Sequence, residues 1–105
     1  MIYFWATWCR VCALSRDTIA DIARDHPVIT IASQSGSDAE LSRYVKEDGL
    51  NVPVINDHDN RLSQRYGVRA FPSIFIIDGD GNISDVEIGL SSEWGLRLRL
   101  WKAGW

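Results

Sequence analysis

Cysteine is scarce in this chain: two among 105 residues, at positions 9 and 12. Two cysteines form one pair, so the disulfide framework of a small secreted scaffold is excluded. Histidine is as scarce. His26 and His58 stand in turn-like segments and in no ligand spacing with the cysteines, which leaves a zinc site short of ligands. Positive charge is not in excess, with 11 Lys and Arg against 14 Asp and Glu and a net charge of -3. No basic run appears, which argues against binding a nucleic-acid backbone. No apolar run approaches the roughly 20 residues of a membrane-spanning helix, and no signal peptide is visible. What is present is ordinary for a globular protein: 46% apolar and 24% charged residues. The length suits one domain with one core. The apolar run Ile2–Trp5 begins directly after Met1. A strand that feeds a functional motif rarely starts a native polypeptide. The expectation is a single domain over 1–105 that lacks its native N-terminal segment, with any export signal or anchor removed.

Both cysteines fall inside the stretch FWATWCRVC, Phe4 to Cys12. A strand-like run precedes them and a helical pattern follows, so Cys9 stands where a helix begins. The unpaired amides and dipole of a first helical turn favour negative charge. A thiol of ordinary pKa about 8.5 falls to between about 3.5 and 7.5 in such sites, and the thiolate is the attacking species in disulfide exchange. Arg10 adds a cation next to it. Cys12 lies three residues on, one turn away on the same face, placed to resolve a mixed disulfide formed at Cys9. The rings of Trp5 and Trp8 would shield the pair and offer a surface to a substrate chain. Blander readings stay open: half of a zinc site, a purely structural disulfide, or two inert core cysteines.

Elsewhere the pattern alternates. Val11, Leu14, Thr18 and Ile22 recur at helical spacing as one face of a first helix, which stops before Pro27. Val28–Ala32 reads as a buried strand. Ser37 and Glu40 have the spacing of a capping box, Leu41, Tyr44 and Val45 form a stripe, and Gly49 suits a C-terminal cap. Val52–Asn56 reads as a short extended piece and Arg61–Tyr66 as a brief helix ended by Gly67. Phe71–Asp78 is a strand with both faces covered, Asp78–Asn82 is turn chemistry, and Ile83–Gly89 alternates like a half-exposed antiparallel strand. A last helix starts at Ser91 or Ser92 and runs through Trp94, Leu98 and Trp101. The expected fold class is α/β: a mixed sheet flanked by helices on both faces, ending in a β-hairpin plus helix. DGDGNI at Asp78 and DHDNR at Asp57 lack the glycine and glutamate positions of a calcium loop. The tryptophans at 94, 101 and 105 are expected to pack within the fold, the alternative being a membrane edge or partner surface.

Two blocks carry a family resemblance. FWATWCRVC, followed by a helix and much later by GVRAFPSIFIIDGDGNI, resembles the thioredoxin superfamily. It is closest to the membrane-anchored, extracytoplasmic branch of TlpA, ResA and DsbE-type proteins, and the ending WGLRLRLWKAG resembles the suppressor-of-copper-sensitivity type. The resemblance covers essentially the whole chain. It implies a thioredoxin-like fold, Cys9 as exposed nucleophile and Cys12 as buried resolving thiol. It further implies that Pro72 is the family's cis-proline, with the backbone of Phe71 facing the thiols and open to an added substrate strand. The implied activity is thiol-disulfide exchange with protein cysteine pairs, in the reductase direction, although Arg10 favours an oxidant. The dithiol carries the electrons, so no organic cofactor or metal is implied. The implied partners are cysteine-containing proteins and an upstream redox partner, and the implied place is a bacterial periplasm or other extracytoplasmic space, with a membrane anchor in the full-length protein. The sequence departs from the pattern at three places. Tyr3 stands where thioredoxin has a buried acid, Ser15 where many relatives have a glutamate, and Arg10-Val11 lacks the common proline. The proton of Cys12 therefore needs another acceptor. The competing reading is a module that binds a partner protein or copper(I) through soft thiolates with little catalysis.

Overall fold

A computed structural model describes residues 1–89 and 92–105. Five strands and four helices follow one another as β1 (Ile2–Trp5), α1 (Arg10–Ala23), β2 (Ile29–Ser33), α2 (Asp38–Asp48), β3 (Val54–Asp57), α3 (Arg61–Arg65), β4 (Ser73–Ile77), β5 (Ile83–Ile88) and α4 (Glu93–Lys102). They form one sheet of order β3-β2-β1-β4-β5. β1, β2 and β3 run parallel, while β4 is antiparallel to β1 and β5 to β4. Parallel pairs need crossovers, and α1 and α2 supply them.

Alternation along β1 divides the molecule into two apolar layers. Tyr3 and Trp5 join Ile19 and Ile22 of α1, Leu41 of α2, Ile74 and Ile76 of β4, and Leu96 and Leu100 of α4. Phe4 points the other way with Ile31 and Phe75, against Leu62 and Val68. Tyr66 closes that second layer, its ring 5.2 Å from Phe4 and 5.3 Å from Phe75. Each fully buried side chain of this size contributes about 1.5–3 kcal/mol. Helices do lie on both faces, but unequally: α1, α2 and α4 on the first, only the five-residue α3 on the second.

Local signals fix most element ends. Ser37 Oγ accepts from Glu40 N at 3.2 Å and the Glu40 carboxylate accepts from Ser37 N, a complete capping box. Gly49 caps the other end of α2 at φ 72°, a left-handed conformation that glycine adopts without strain. After α1 the amides of Asp25 and His26 donate to Ile22 O, and Pro27 cannot continue the helix. The side chain of Asp78 accepts from Asp80 N and Asn82 N, each at 2.9 Å, and so builds the β4–β5 turn. Ser92 Oγ accepts from Gly95 N and caps α4; the alternative start at Ser91 lies outside the described residues.

Three expectations need correction. The buried face of α1 is Cys12, Ser15, Ile19 and Ile22, one residue round from the expected Val11, Leu14 and Thr18. Leu14 is exposed, because Cys12 is drawn against the sheet and fixes the helix's rotation. β5 is antiparallel as expected, but its exposed row is the apolar one: Ile83, Val86 and Ile88. A register irregularity beside Ile76 and Ile77 breaks the strict alternation, and Glu87 turns instead toward α4, where it pairs with Arg99 at 2.6 Å. Finally, Trp94 and Trp101 do not pack within the fold. They are 83% and 72% exposed, because Leu96 and Leu100 occupy the inward face of α4.

Candidate active site

The two cysteines sit where β1 hands over to α1. Cys9 is the N-cap of α1, with extended backbone (φ -94°, ψ 111°). Its Sγ accepts a hydrogen bond from Cys12 N at 3.2 Å. One sulfur therefore lies on the free amides of the first turn, as the sequence implies. Cys9 and Cys12 are joined as a disulfide with their Cα atoms 5.3 Å apart. They differ in access: Cys9 is half-buried and Cys12 is 4% exposed. Arg10, the first residue of the helix, is exposed beside Cys9.

The chain before β4 forms the opposite wall. The Phe71–Pro72 bond is cis, as the resemblance implies, and Pro72 is fully buried. Phe71 is half-buried and packs against the hydrophobic layer that includes Cys9. The exposed ring of Trp8 meets it edge-on at 5.5 Å. Trp8 Nε1 donates to Gln34 O at 3.1 Å, which ties the motif to the loop after β2. Thr7 N donates to Ser35 Oγ at 2.9 Å in the same loop. Trp8 and Phe71 thus frame the more accessible sulfur.

Beneath Cys12 the floor is made of hydroxyl groups. Tyr3 Oη and Ser15 Oγ are 2.6 Å apart, and Ser15 Oγ donates to Cys12 O at 3.1 Å. Burial raises the Tyr3 phenol above its ordinary range, and the hydrogen bond with Ser15 only partly offsets this. Near neutral pH the floor is therefore uncharged. A cavity of about 20 Å³ opens beside it, lined by Tyr3, Trp5, Cys12, Arg16, Tyr44 and Asp48 among others. That volume suits one water. Arg16, one turn after Cys12, is paired with Asp48 at the end of α2.

The Redoxin family profile matches residues 1–94. This chain belongs to the Redoxin family. The Redoxin chain is 30% identical over 104 residues to a thioredoxin-like protein of Haemophilus influenzae, covering 98% of this chain and 62% of that protein. It is 30% identical over 90 residues to the thiol-disulfide oxidoreductase ResA of Bacillus thuringiensis, covering 82% of this chain and 52% of the relative. It thus spans between half and two thirds of the length of these relatives. Among solved structures it is similar to the pneumococcal exposed lipoprotein thioredoxin of Streptococcus pneumoniae, with 28% identity and a TM-score of 0.83 over 96% of this chain and 82% of that one. The fold is thioredoxin-like.

Of the residues singled out from the Redoxin sequence, Cys9, Cys12, Trp8, Arg10, Phe71 and Pro72 converge on one end of the sheet. Trp5 does not belong to the substrate-facing set. It is 4% exposed and packs on Tyr44, ring centres 5.7 Å apart, because the last position of β1 faces the layer under α1 and α2. Its indole N–H is buried with no partner among the described residues, at a wall of the cavity rather than on the surface. Sequence reasoning missed Arg16, Tyr44 and Asp48. Arg16 was within reach, since it follows Cys12 by four positions on one helix. Nothing local signals Asp48, 32 residues from its partner.

Proposed function

We propose that the chain is a protein thiol-disulfide oxidoreductase that works through the Cys9–Cys12 couple. The observation that carries this reading is the unequal pair at a helix start: a half-buried Cys9 whose sulfur caps the free amides, and a buried Cys12 one turn behind. The relatives named as thiol-disulfide oxidoreductases support it.

The reaction balances as follows in the reductase direction. With both cysteines reduced, the Cys9 thiolate attacks one sulfur of a partner's disulfide. A Cys9–partner bond forms and the partner's S–S bond breaks, its other sulfur leaving as a thiolate that takes up a proton. Cys12 then loses its proton and attacks Cys9 Sγ. The Cys9–Cys12 bond forms, and the partner's remaining sulfur departs as a thiolate and is protonated. Two electrons have passed to the partner, and the chain is oxidised. The dithiol holds both electrons, so the exchange calls for no organic cofactor or metal. An upstream dithiol protein restores the reduced state. Trp8 and Phe71 are the surface a substrate strand meets, and Pro72 leaves its residue without a backbone donor there. The cavity beside Cys12, which the Asp48 carboxylate also lines, is the path by which its proton reaches water.

The working direction is reductive. The site of action is extracytoplasmic, with a membrane anchor in the longer protein; among the described residues no helix is long and apolar enough to cross a membrane. The similar pneumococcal protein is an exposed lipoprotein, which supports that placement. The uncharged floor under Cys12 favours one alternative, a module that holds a partner protein or copper(I) on its two thiolates. One experiment separates them. The reduced chain is mixed with insulin, and turnover of its disulfides is followed with and without copper(I). Turnover that Cys9→Ser abolishes, with mixed disulfides trapped in Cys12→Ser, is the expected result. Absent turnover with stoichiometric copper binding lost in Cys9→Ser would replace the oxidoreductase reading by the module.

A further inference from the structure

The outward ridge of α4 is apolar along its whole length. Trp94, Leu98 and Trp101 stand at positions i, i+4 and i+7, on one side of the helix. Leu98 is 62% exposed, between the two still more exposed tryptophans. The inward side carries the buried Leu96 and Leu100. A helix apolar on both sides is one that is covered on both sides, and among the described residues only one side of α4 is. Of the charged residues on its flanks, Glu93, Arg97 and Arg99 are already engaged, and Lys102 stands exposed beside Trp101. Arg97 pairs with Asp25 at 2.8 Å and Glu93 at 3.0 Å, and Arg99 pairs with Glu87. The ridge begins toward the active-site end of the sheet, where Gly89 N donates to Pro72 O, and ends at the far end, where Trp105 Nε1 donates to Ile77 O. Through Arg97, α4 is fastened to Asp21 O and Asp25 near the last turn of α1, whereas Cys9 caps the first.

We propose that this ridge is a self-association surface, and that two copies of the chain pair antiparallel through α4 about a two-fold axis beside Leu98. The spacing is self-complementary, as a two-fold interface requires. The midpoint between positions 94 and 101 falls next to 98, so Trp94 of one copy meets Trp101 of the other while the two Leu98 side chains meet at the axis. Complete cover of the two tryptophans and the leucine removes at most on the order of 500 Å² per copy, hence up to about 1,000 Å² in total, which reaches the lower bound for a specific interface. Charge points the same way. The flanking arginines are neutralised within their own copy, so the centre of the interface buries no unpaired ion. With the arginines neutralised, Lys102 is the cation α4 leaves beside the ridge, less than the Lys/Arg-rich margin that draws a helix to anionic lipid, and the chain as a whole is negative, at -3.

The test is sedimentation equilibrium of the intact chain from low to high micromolar concentration, alone and with phosphatidylglycerol–phosphatidylcholine vesicles. The mass should rise from 11.9 kDa toward twice that value across this range. Leu98→Arg should raise the dissociation constant at least about a hundredfold, with the far-UV circular dichroism and the rate of disulfide exchange unchanged. Trp94→Gln combined with Trp101→Gln should do the same and serves if the arginine variant misfolds. A mass that stays at the monomer value throughout would overturn the proposal. So would a Leu98→Arg variant that dimerises like the parent chain, or monomers that bind the vesicles through this ridge. Loss of insulin reduction with dimerisation intact would instead strike the oxidoreductase reading and leave this one standing.

Discussion

Replacing Ser15 by alanine should cost more stability than replacing Tyr3 by phenylalanine, and making both changes should cost less than the first alone. The two hydroxyls are 2.6 Å apart beneath Cys12, and Ser15 also donates to Cys12 O. Tyr3→Phe removes one buried polar group and leaves Ser15 its bond to that carbonyl, a loss of about 1 kcal/mol. Ser15→Ala leaves the Tyr3 phenol with only its longer hydrogen bond, to Cys12 O at 3.4 Å. A poorly satisfied buried hydroxyl costs up to the ~1–3 kcal/mol of an unsatisfied one. In the double variant neither hydroxyl is left to satisfy, so the total should return to about 1 kcal/mol. The implied coupling is on the order of 2 kcal/mol, within the range found for contacting pairs. Urea denaturation of the four proteins in the disulfide form measures it directly. Additive costs would refute the assignment of these hydroxyls as one hydrogen-bonded unit. The pair lies against the resolving cysteine. A change that destabilises the oxidised and reduced forms unequally therefore also moves the reduction potential, by about 30 mV for each 1.4 kcal/mol of difference.

Three further outcomes are expected. The Arg16–Asp48 pair closes the cavity beside Cys12 with no net charge. Asp48→Asn should therefore leave a cation that stabilises the reduced, thiolate form and raise the potential. Arg16→Met should lower it, each by on the order of 30 mV in a glutathione titration; shifts of the same sign would contradict the geometry. Asp57 is buried at the start of α3. Burial pushes its carboxyl up, but donors from Leu62 N, Ser63 N and Ser63 Oγ outweigh this and hold it below the ordinary range. A lowered folded value means that its contribution is complete above the ordinary carboxylate range and is lost as pH falls through the folded value. Urea midpoints should drop on acidification in the parent chain and drop less in Asp57→Asn, which should be the weaker protein at neutrality. Ser37→Ala should cost about 1 kcal/mol through loss of its cap on α2; a thermal melt checks it.

The sequence by itself determined whatever depends on residues a few positions apart. The capping box of Ser37 and Glu40, the left-handed cap at Gly49, the Asp78 turn and the thiol pair at the mouth of α1 all arise where predicted, because backbone hydrogen bonds and dihedral limits act between near neighbours. The alternation of strands and helices was legible for the same reason. Tertiary structure alone decided which way each element faces. Rotating α1 by one residue set Cys12 against the sheet and put Leu14 in solvent. On β5 the apolar row came to face outward while Glu87 reached Arg99 of α4. Trp5 went into the interior while Trp94 and Trp101 stayed outside it. Asp48 came to the cavity beside Cys12 from 32 residues beyond its partner Arg16. Burial is a sum over contacts from the whole chain, and no window along the sequence contains it.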